Sequence, residues 1–141
     1  MDNFVNMTPH DVNLYVKSMD EDGNEFDELV VAFKKTGQLL RAPNLVNEPT
    51  GLQVGGREEN GDDTYFEVCR KVYTEGVSVV IDADGNQTAL PEPVEGTYYI
   101  VSRPAAENVD PARSTSDLLM VDGVVTDEDN RRIGCRGFVT L

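Results

Sequence analysis

Between Leu90 and Pro111 the chain leaves itself the fewest choices. Pro91 and Pro93 each fix φ and remove an amide donor, so Leu90-Pro-Glu-Pro-Val94 cannot pair as a central strand and must cross between layers in extended form. Gly96 lets the chain swing into Thr97 to Val101, where Tyr98-Tyr-Ile-Val101 is apolar or aromatic without a break, the pattern of a strand buried on both sides. Pro104 then suits the first turn of a helix, with Ser102 or Arg103 in front as cap and Pro111 as the stop.

The other segments read as strands and turns. Phe4 to Met7 suggests a short first strand, punctuated by Thr8-Pro9-His10-Asp11, where the Thr8 hydroxyl can cap nearby backbone amides. Val12, Leu14 and Val16 then alternate with polar or longer side chains, and Phe26 to Phe33 returns after the turn Asp20-Glu-Asp-Gly-Asn-Glu25. Leu39-Leu40 follows a turn at Thr36-Gly37. Residues 42–63 are rich in Gly, Asn, Pro and Glu and read as a long loop around one short strand. Thr64 to Val72 and Val77 to Ile81 are strands, the second followed by Asp82-Ala-Asp-Gly-Asn86 with Gly85 at positive φ. Leu118 to Val125 and Arg132 to Leu141 close the chain over Asp127-Glu-Asp-Asn130. Short strands with turns at regular spacing predict a mainly β fold, an antiparallel sandwich or small barrel with one short helix at about 103–110, in a single domain spanning 1–141.

Charge narrows the partners. Asp and Glu total 26 against 12 Lys and Arg, a net charge of −14, and such a shell repels nucleic acid and anionic membranes. The carboxylates gather in turns along the whole chain, including Asp20-Glu-Asp22, Glu58-Glu59, Asp62-Asp63 and Asp127-Glu-Asp129, rather than on one segment. That scatter, with only four Lys, favours adaptation to molar salt over imitation of DNA. No apolar run reaches the roughly 20 residues that span a bilayer, and Met1 to Met7 lacks the basic flank and apolar core of a signal peptide. The expectation is a soluble protein in the cytoplasm of a halophilic host cell, or in a virion. Cys69 and Cys135 form no Cys-x-x-Cys, and a single His leaves zinc short of ligands, so both read as reduced thiols, with no metal and no cofactor expected.

Three constellations carry possible chemistry. At the helix start, Ser102, Arg103 and the free amides of Ala105 and Ala106 suit an anion. Just past it stand Arg113, Ser114, Thr115 and Ser116, with a guanidinium fork matched to phosphate. The plainer reading is a capped helix whose arginines pair with the abundant surface carboxylates. His10, the only histidine, is a candidate acid or base near neutral pH or a ligand contact beside Arg113 or Arg136; otherwise it is a turn residue bonded to backbone. Cys135, His10 and Asp117 would make a thiolate nucleophile, but strand alternation turns Cys135 into the core, where a thiol stays protonated. The Asp20 and Asp82 turns resemble the opening of a calcium loop, yet in the first Glu25 stands where such a loop needs Gly, and the second misplaces its Gly and ends at Pro93, so both read as solvated hairpin turns. Glu92 and Glu95 lack a neighbour that would raise one pKa, and read as local caps.

Asn6-Met-Thr-Pro-His10, then Leu90-Pro-Glu-Pro-Val-Glu-Gly-Thr-Tyr-Tyr-Ile-Val-Ser102, Arg113 with Asp117, and finally Val125-Thr-Asp-Glu-Asp-Asn-Arg-Arg-Ile-Gly-Cys-Arg-Gly-Phe138 together resemble a group of small proteins of phages, bacteria and archaeal viruses that open "NLTPH" and carry "PEPxEGxxYIVS". The resemblance covers the first dozen residues and most of 89–141. It implies a viral or mobile-element origin and, with the acidity, a haloarchaeal virus or its host; that group brings no activity with it. The resulting expectation is a viral accessory protein, not an enzyme, that binds an anionic or phosphorylated small molecule such as a nucleotide through Thr8, His10, Ser102, Arg103, Arg113, Ser114, Ser116, Asp117 and Arg136. The alternatives are a virion structural or interaction protein (decoration or connector) that contacts other viral structural proteins or itself, and a His10-dependent hydrolase.

Overall fold

A computed structural model describes residues 2–57, 59 and 61–141, so Glu58 of the acidic pair and Asn60 lie outside the described residues. The chain divides into two compact units, Met1–Ala42 with Val77–Leu141, and Pro43–Gly76.

The first unit is built on a six-stranded sheet. Its strands are β1 (Asn3–Asn6), β2 (Val12–Met19), β3 (Glu25–Phe33), β9 (Thr97–Ile100), β10 (Leu118–Thr126) and β11 (Arg132–Val139). They lie in the order β1-β9-β10-β11-β2-β3, and a bridge from Asn6 to Lys35, just past β3, brings the two ends together into a nearly closed barrel. A second sheet of three short strands, β4 (Leu39–Arg41), β7 (Val79–Ile81) and β8 (Gln87–Ala89), joins the barrel where the Leu40 amide donates to the Met7 carbonyl. The mainly β small barrel read from the sequence is the observed fold, with one refinement: β1–β9, β9–β10 and β11–β2 are parallel, so the barrel is mixed. Parallel pairing needs long crossovers, and these are supplied by the smaller sheet, the proline segment and the helix.

β9 is the centre of the unit. Tyr99 and Val101 pack with Met7, Leu40, Leu118 and Met120 in one cluster, while Ile100 packs with Val12 and Cys135 in another. The unbroken apolar run from Tyr98 to Val101 therefore faces two cores. Phe4 stacks on Tyr98 at 5.4 Å and meets Phe33 edge-on at 5.5 Å, carrying the second core round to the barrel's seam. The helix α1 covers Arg103–Glu107 and buries Ala105 and Ala106 in the first core. It stops short of residue 110 because its last carbonyls are taken by side chains: Ser78 Oγ donates to Ala105 O at 2.6 Å and Asn108 Nδ2 to Pro104 O at 2.8 Å.

Three turns in this unit share one design. In Asp20-Glu-Asp-Gly-Asn24 the first aspartate's Oδ1 accepts from the amides two and four residues on, at 2.9 and 2.8 Å, and the fourth residue, Gly23, has φ +81°. Asp82 repeats this with the Asp84 and Asn86 amides, and Asp127 with those of Asp129 and Arg131. In the last copy Asn130 takes the left-handed position at φ +59°, which asparagine tolerates better than most residues. The carboxylates read as solvated turn residues thus hold their own backbones.

The second unit is a hairpin of β5 (Leu45–Arg57) and β6 (Asp63–Tyr73). It replaces most of the loop expected over 42–63. β5 was illegible as a strand because all of its residues are exposed, so neither face carries an alternating apolar signal, and Pro49, Gly51, Gly55 and Gly56 read as loop residues. Pairing with the more regular β6 holds it extended, with a register break between Pro49 and Gln53.

Arg113 ties the barrel's crossovers together. Nε and Nη2 donate to Pro91 O at 2.9 and 2.6 Å, Nη1 to Ser114 O at 2.7 Å, and the fork closes on both carboxylate oxygens of Asp117 at 2.8 and 2.7 Å. Both side chains are buried, and the Asp117 carbonyl accepts the Tyr99 amide, so the knot sits at the base of β9. Removing one partner strands a buried charge. Asp117→Ala is expected to cost about 3–5 kcal/mol in urea unfolding, and the double change Arg113→Met with Asp117→Leu distinctly less than Asp117→Ala alone.

Candidate functional site

Asn6, at the end of β1, is almost wholly buried and uses every hydrogen-bonding position of its carboxamide. Nδ2 donates to His10 O at 2.8 Å and Phe33 O at 2.9 Å, while Oδ1 accepts from Thr8 N at 3.0 Å and Thr8 Oγ1 at 2.7 Å. Thr8 Oγ1 also lies 2.9 Å from His10 O. The Asn-x-Thr-Pro-His segment is therefore a clasp that folds the β1–β2 turn against the end of β3. In it His10 contributes its carbonyl, and its imidazole has no hydrogen-bond partner among the described residues.

Beside this clasp lies a cleft of about 360 Å³. Thr8, His10 and Asn13 form one wall, Ser102 and Val101 from the end of β9 another, and Arg132 to Cys135 of β11 the third. A shallower depression of about 240 Å³ shares Thr8 and Ser102 and adds Arg41 from β4. Six of the eight arginines are ion-paired with Asp or Glu; Arg41 and Arg132 are the two with no such partner among the described residues. The cleft's carboxylate, Asp11, is already engaged: the Lys35 amide at 2.9 Å, and then Lys34 Nζ at 3.3 Å, hold its pKa below the usual aspartate value.

The residues singled out in the sequence separate into two groups. Thr8, His10 and Ser102 converge on the cleft. The others do not. Arg113 and Asp117 are spent on each other in the buried knot, for the fork that fits a phosphate fits a carboxylate equally well. Arg103 lies 3.6 Å from Glu107 one turn along α1. Arg136 Nη1 lies 2.7 Å from Asp27 Oδ1, a close ion pair poorly aligned as a hydrogen bond. Ser114 and Ser116 face each other across an exposed turn at 3.1 Å. Ser102 caps α1 by accepting the Ala105 amide at 3.3 Å. Arg41 and Arg132 were not legible as site residues, since nothing in the sequence shows which arginines go unpaired.

Cys135 is buried against the cleft floor, and its desolvation raises the thiol's pKa. Asp117 is committed to Arg113, so it does not complete a Cys-His-Asp arrangement. A further cavity of about 430 Å³ lies between β7, β8 and the 109–113 segment, where the bordering cation is the fully engaged Arg113.

The hairpin is the other candidate surface. Leu52, Val54, Tyr65 and Phe66 are 60, 56, 65 and 68% exposed, and Leu45, Val46 and Tyr73 are exposed as well. By register, Val46, Val54, Phe66, Val68 and Val72 fall on one face. Among the described residues no helix is long and apolar enough to cross a membrane. Compared with protein-family models, curated proteins and solved structures, the chain matches none.

Two outcomes are expected from this geometry. Asn6→Ala takes the carboxamide from the Phe33 carbonyl and the Thr8 amide, leaves the His10 carbonyl only the Thr8 hydroxyl, and should cost about 3 kcal/mol. Asn6→Asp should cost more still, because a carboxylate cannot donate to two carbonyls, whereas His10→Ala should stay within about 0.5 kcal/mol in the same chemical denaturation. The acid side of the stability profile should fall through the aspartates. Asp11 is held down first by the Lys35 amide, Asp27 first by Arg136 and Asp82 first by the Asn86 amide. Folded-state values below the unfolded one, about 3.9, give stability that is complete above that pH and is lost as pH falls through the folded values. Unfolding free energy followed from pH 7 to pH 2 should be level above about pH 5 and decline below about pH 4.

Proposed function

We propose that the protein is a non-enzymatic interaction protein, a nearly closed barrel in one unit and a hairpin for docking on a partner in the other. By its resemblance to the phage and archaeal-virus group, its setting is a virus particle or the cytoplasm of the halophilic cell that makes it. One observation carries the reading: a hairpin of 13 and 11 residues with no buried side chain presents Leu52, Val54, Tyr65 and Phe66 to solvent. Two strands alone are marginal in water, and the exposed Val46, Val54 and Phe66, which share one face by register, are apolar surface of the kind that marks an interaction. The arginine scatter supports the same reading, since Arg103, Arg113 and Arg136 form no common anion site.

A second reading rests on the cleft. Arg132 and His10 beside the Thr8 and Ser102 hydroxyls suit the head of a small phosphorylated molecule, and the valines at positions 12, 101 and 121 its apolar part. The His10-dependent hydrolase has no such support, because nothing orients the imidazole.

Leu52→Ser with Val54→Ser tests the docking arm. The expected result is that the wild-type chain is found by mass spectrometry in purified particles, and that the variant, with an unchanged circular dichroism spectrum, is absent from them. Equal incorporation of the variant, or a wild-type chain absent from particles, overturns the reading. For the cleft, melting temperature at high salt should rise with AMP, and Arg132→Gln should abolish the rise; no shift with AMP or inorganic phosphate removes it.

A further inference from the structure

The docking arm has two outer edges, and they are unlike. β5 is interrupted by Pro49, by the register break that follows it and by Gly51, Gly55 and Gly56. Proline and bulges are the devices that keep an edge strand from pairing further. β6 runs from Asp63 to Tyr73 with no Gly, no Pro and no bulge of its own, and among the described residues β5 is the one strand paired with it. The regular edge is open.

Its sequence has a symmetry of its own. Thr64-Tyr-Phe-Glu-Val-Cys-Arg-Lys-Val-Tyr-Thr74 is complementary about Cys69 in four of its five pairs, the exception being Val68 with Arg70. Thr64 answers Thr74, Tyr65 answers Tyr73, Phe66 answers Val72, and Glu67 answers Lys71. In an antiparallel pair, residues opposite each other point to the same face and touch. A second β6 laid along the first, with a two-fold axis at Cys69, would set Tyr65 against Tyr73, Phe66 against Val72 and Glu67 against Lys71, each contact made twice.

The charges agree with this register. β5 and β6 carry three acidic residues (Glu48, Asp63, Glu67) and three basic ones (Arg57, Arg70, Lys71), a net of zero within a chain of −14. The pairing strands themselves thus add no net repulsion between copies. Four of the six charges are neutralised inside the hairpin, as Arg57–Asp63 and Arg70–Glu48. Glu67 has no cationic partner and Lys71 no carboxylate among the described residues, Lys71 donating only to Asn47 Oδ1 at 3.0 Å. These two are the residues that the axis at Cys69 brings together.

We propose that two copies of the protein associate along β6, antiparallel and edge to edge about Cys69, joining their hairpins into one four-stranded sheet. This deepens the docking reading and rests on it, naming a second copy as the occupant of the open edge. An isologous contact of this kind closes on itself and gives a dimer rather than a fibre.

Analytical ultracentrifugation tests the pairing, at the lowest salt that preserves the wild-type circular dichroism spectrum so that the ionic contacts are not screened. The wild-type chain should sediment as a dimer at micromolar concentration. Glu67→Lys alone, or Lys71→Glu alone, sets like charges opposite each other twice and should weaken the dimer at least tenfold. The double variant Glu67→Lys with Lys71→Glu should restore it, because the swapped pair attracts again. Copper–phenanthroline oxidation should join wild-type chains by a disulfide between the two exposed Cys69 thiols, and should join Cys69→Ser with Val68→Cys poorly, since residue 68 then faces Arg70 of the other copy and the two thiols lie on a diagonal too long for a disulfide. A monomer at every concentration, a double variant that stays weak, or equal cross-linking from both positions overturns the pairing. A monomeric wild-type chain whose particle incorporation is still lost with Leu52→Ser and Val54→Ser would leave the docking arm standing and remove only the second copy.

Discussion

The barrel depends on one carboxamide. Sheet order leaves β1 and β3 as the two ends of a six-stranded layer, and Asn6 is where they meet. Its side chain spans the carbonyl that ends β3, the carbonyl of His10 and both donors of Thr8. Four satisfied bonds in a dry site strengthen one another and would be costly to lose in part. The Thr36 hydroxyl adds a bond to the Asn6 carbonyl at 3.0 Å, so the seam is fastened from both sides of the peptide. The cleft beside it is a by-product of that fastening: the turn is drawn inward, leaving Thr8, His10 and Ser102 around a hollow.

The same economy governs the cations. An acidic chain has few positive side chains, and most of them are absorbed by its own carboxylates, at the surface for Arg57, Arg70, Arg103 and Arg131 and in the interior for Arg113. An ion pair buried as deeply as Arg113–Asp117 survives desolvation because every donor of the fork is used, three bonds going to the carbonyls of Pro91 and Ser114. That knot also accounts for the two prolines ahead of β9. They hold Pro91's carbonyl, which has no ladder partner, where a guanidinium can take it. A ligand at this point would have to displace structure.

The two units keep their shape by different means. The first has two apolar clusters that meet across β9. The hairpin has hydrogen bonds and cross-strand pairs but no core of its own, with Val68 and Val72 only half-buried. A segment of that kind gains stability mainly by being covered, and so its exposed apolar face and its open edge belong to one physical problem.

Much of the barrel was legible in the residues. Alternation marked β2, the unbroken run of Tyr98 to Val101 marked β9, and the aspartate turns marked three reversals, because these signals are local. Pro104 placed the helix for the same reason, although its length was set by Ser78, which lies far away in the chain. What only the tertiary structure decided is pairing. Parallel neighbours are brought together by crossovers that carry no local signature, so the mixed order of the sheet could not be read. β5 became a strand because β6 lies beside it, not because its own side chains favour one. Which arginines are spent and which are free likewise depends on what lies opposite each one in space. The chain by itself determined where strands and turns would fall, since that follows from φ, amide donors and apolar period; the partners of each group had to await folding, since distance in the chain does not measure distance in the protein.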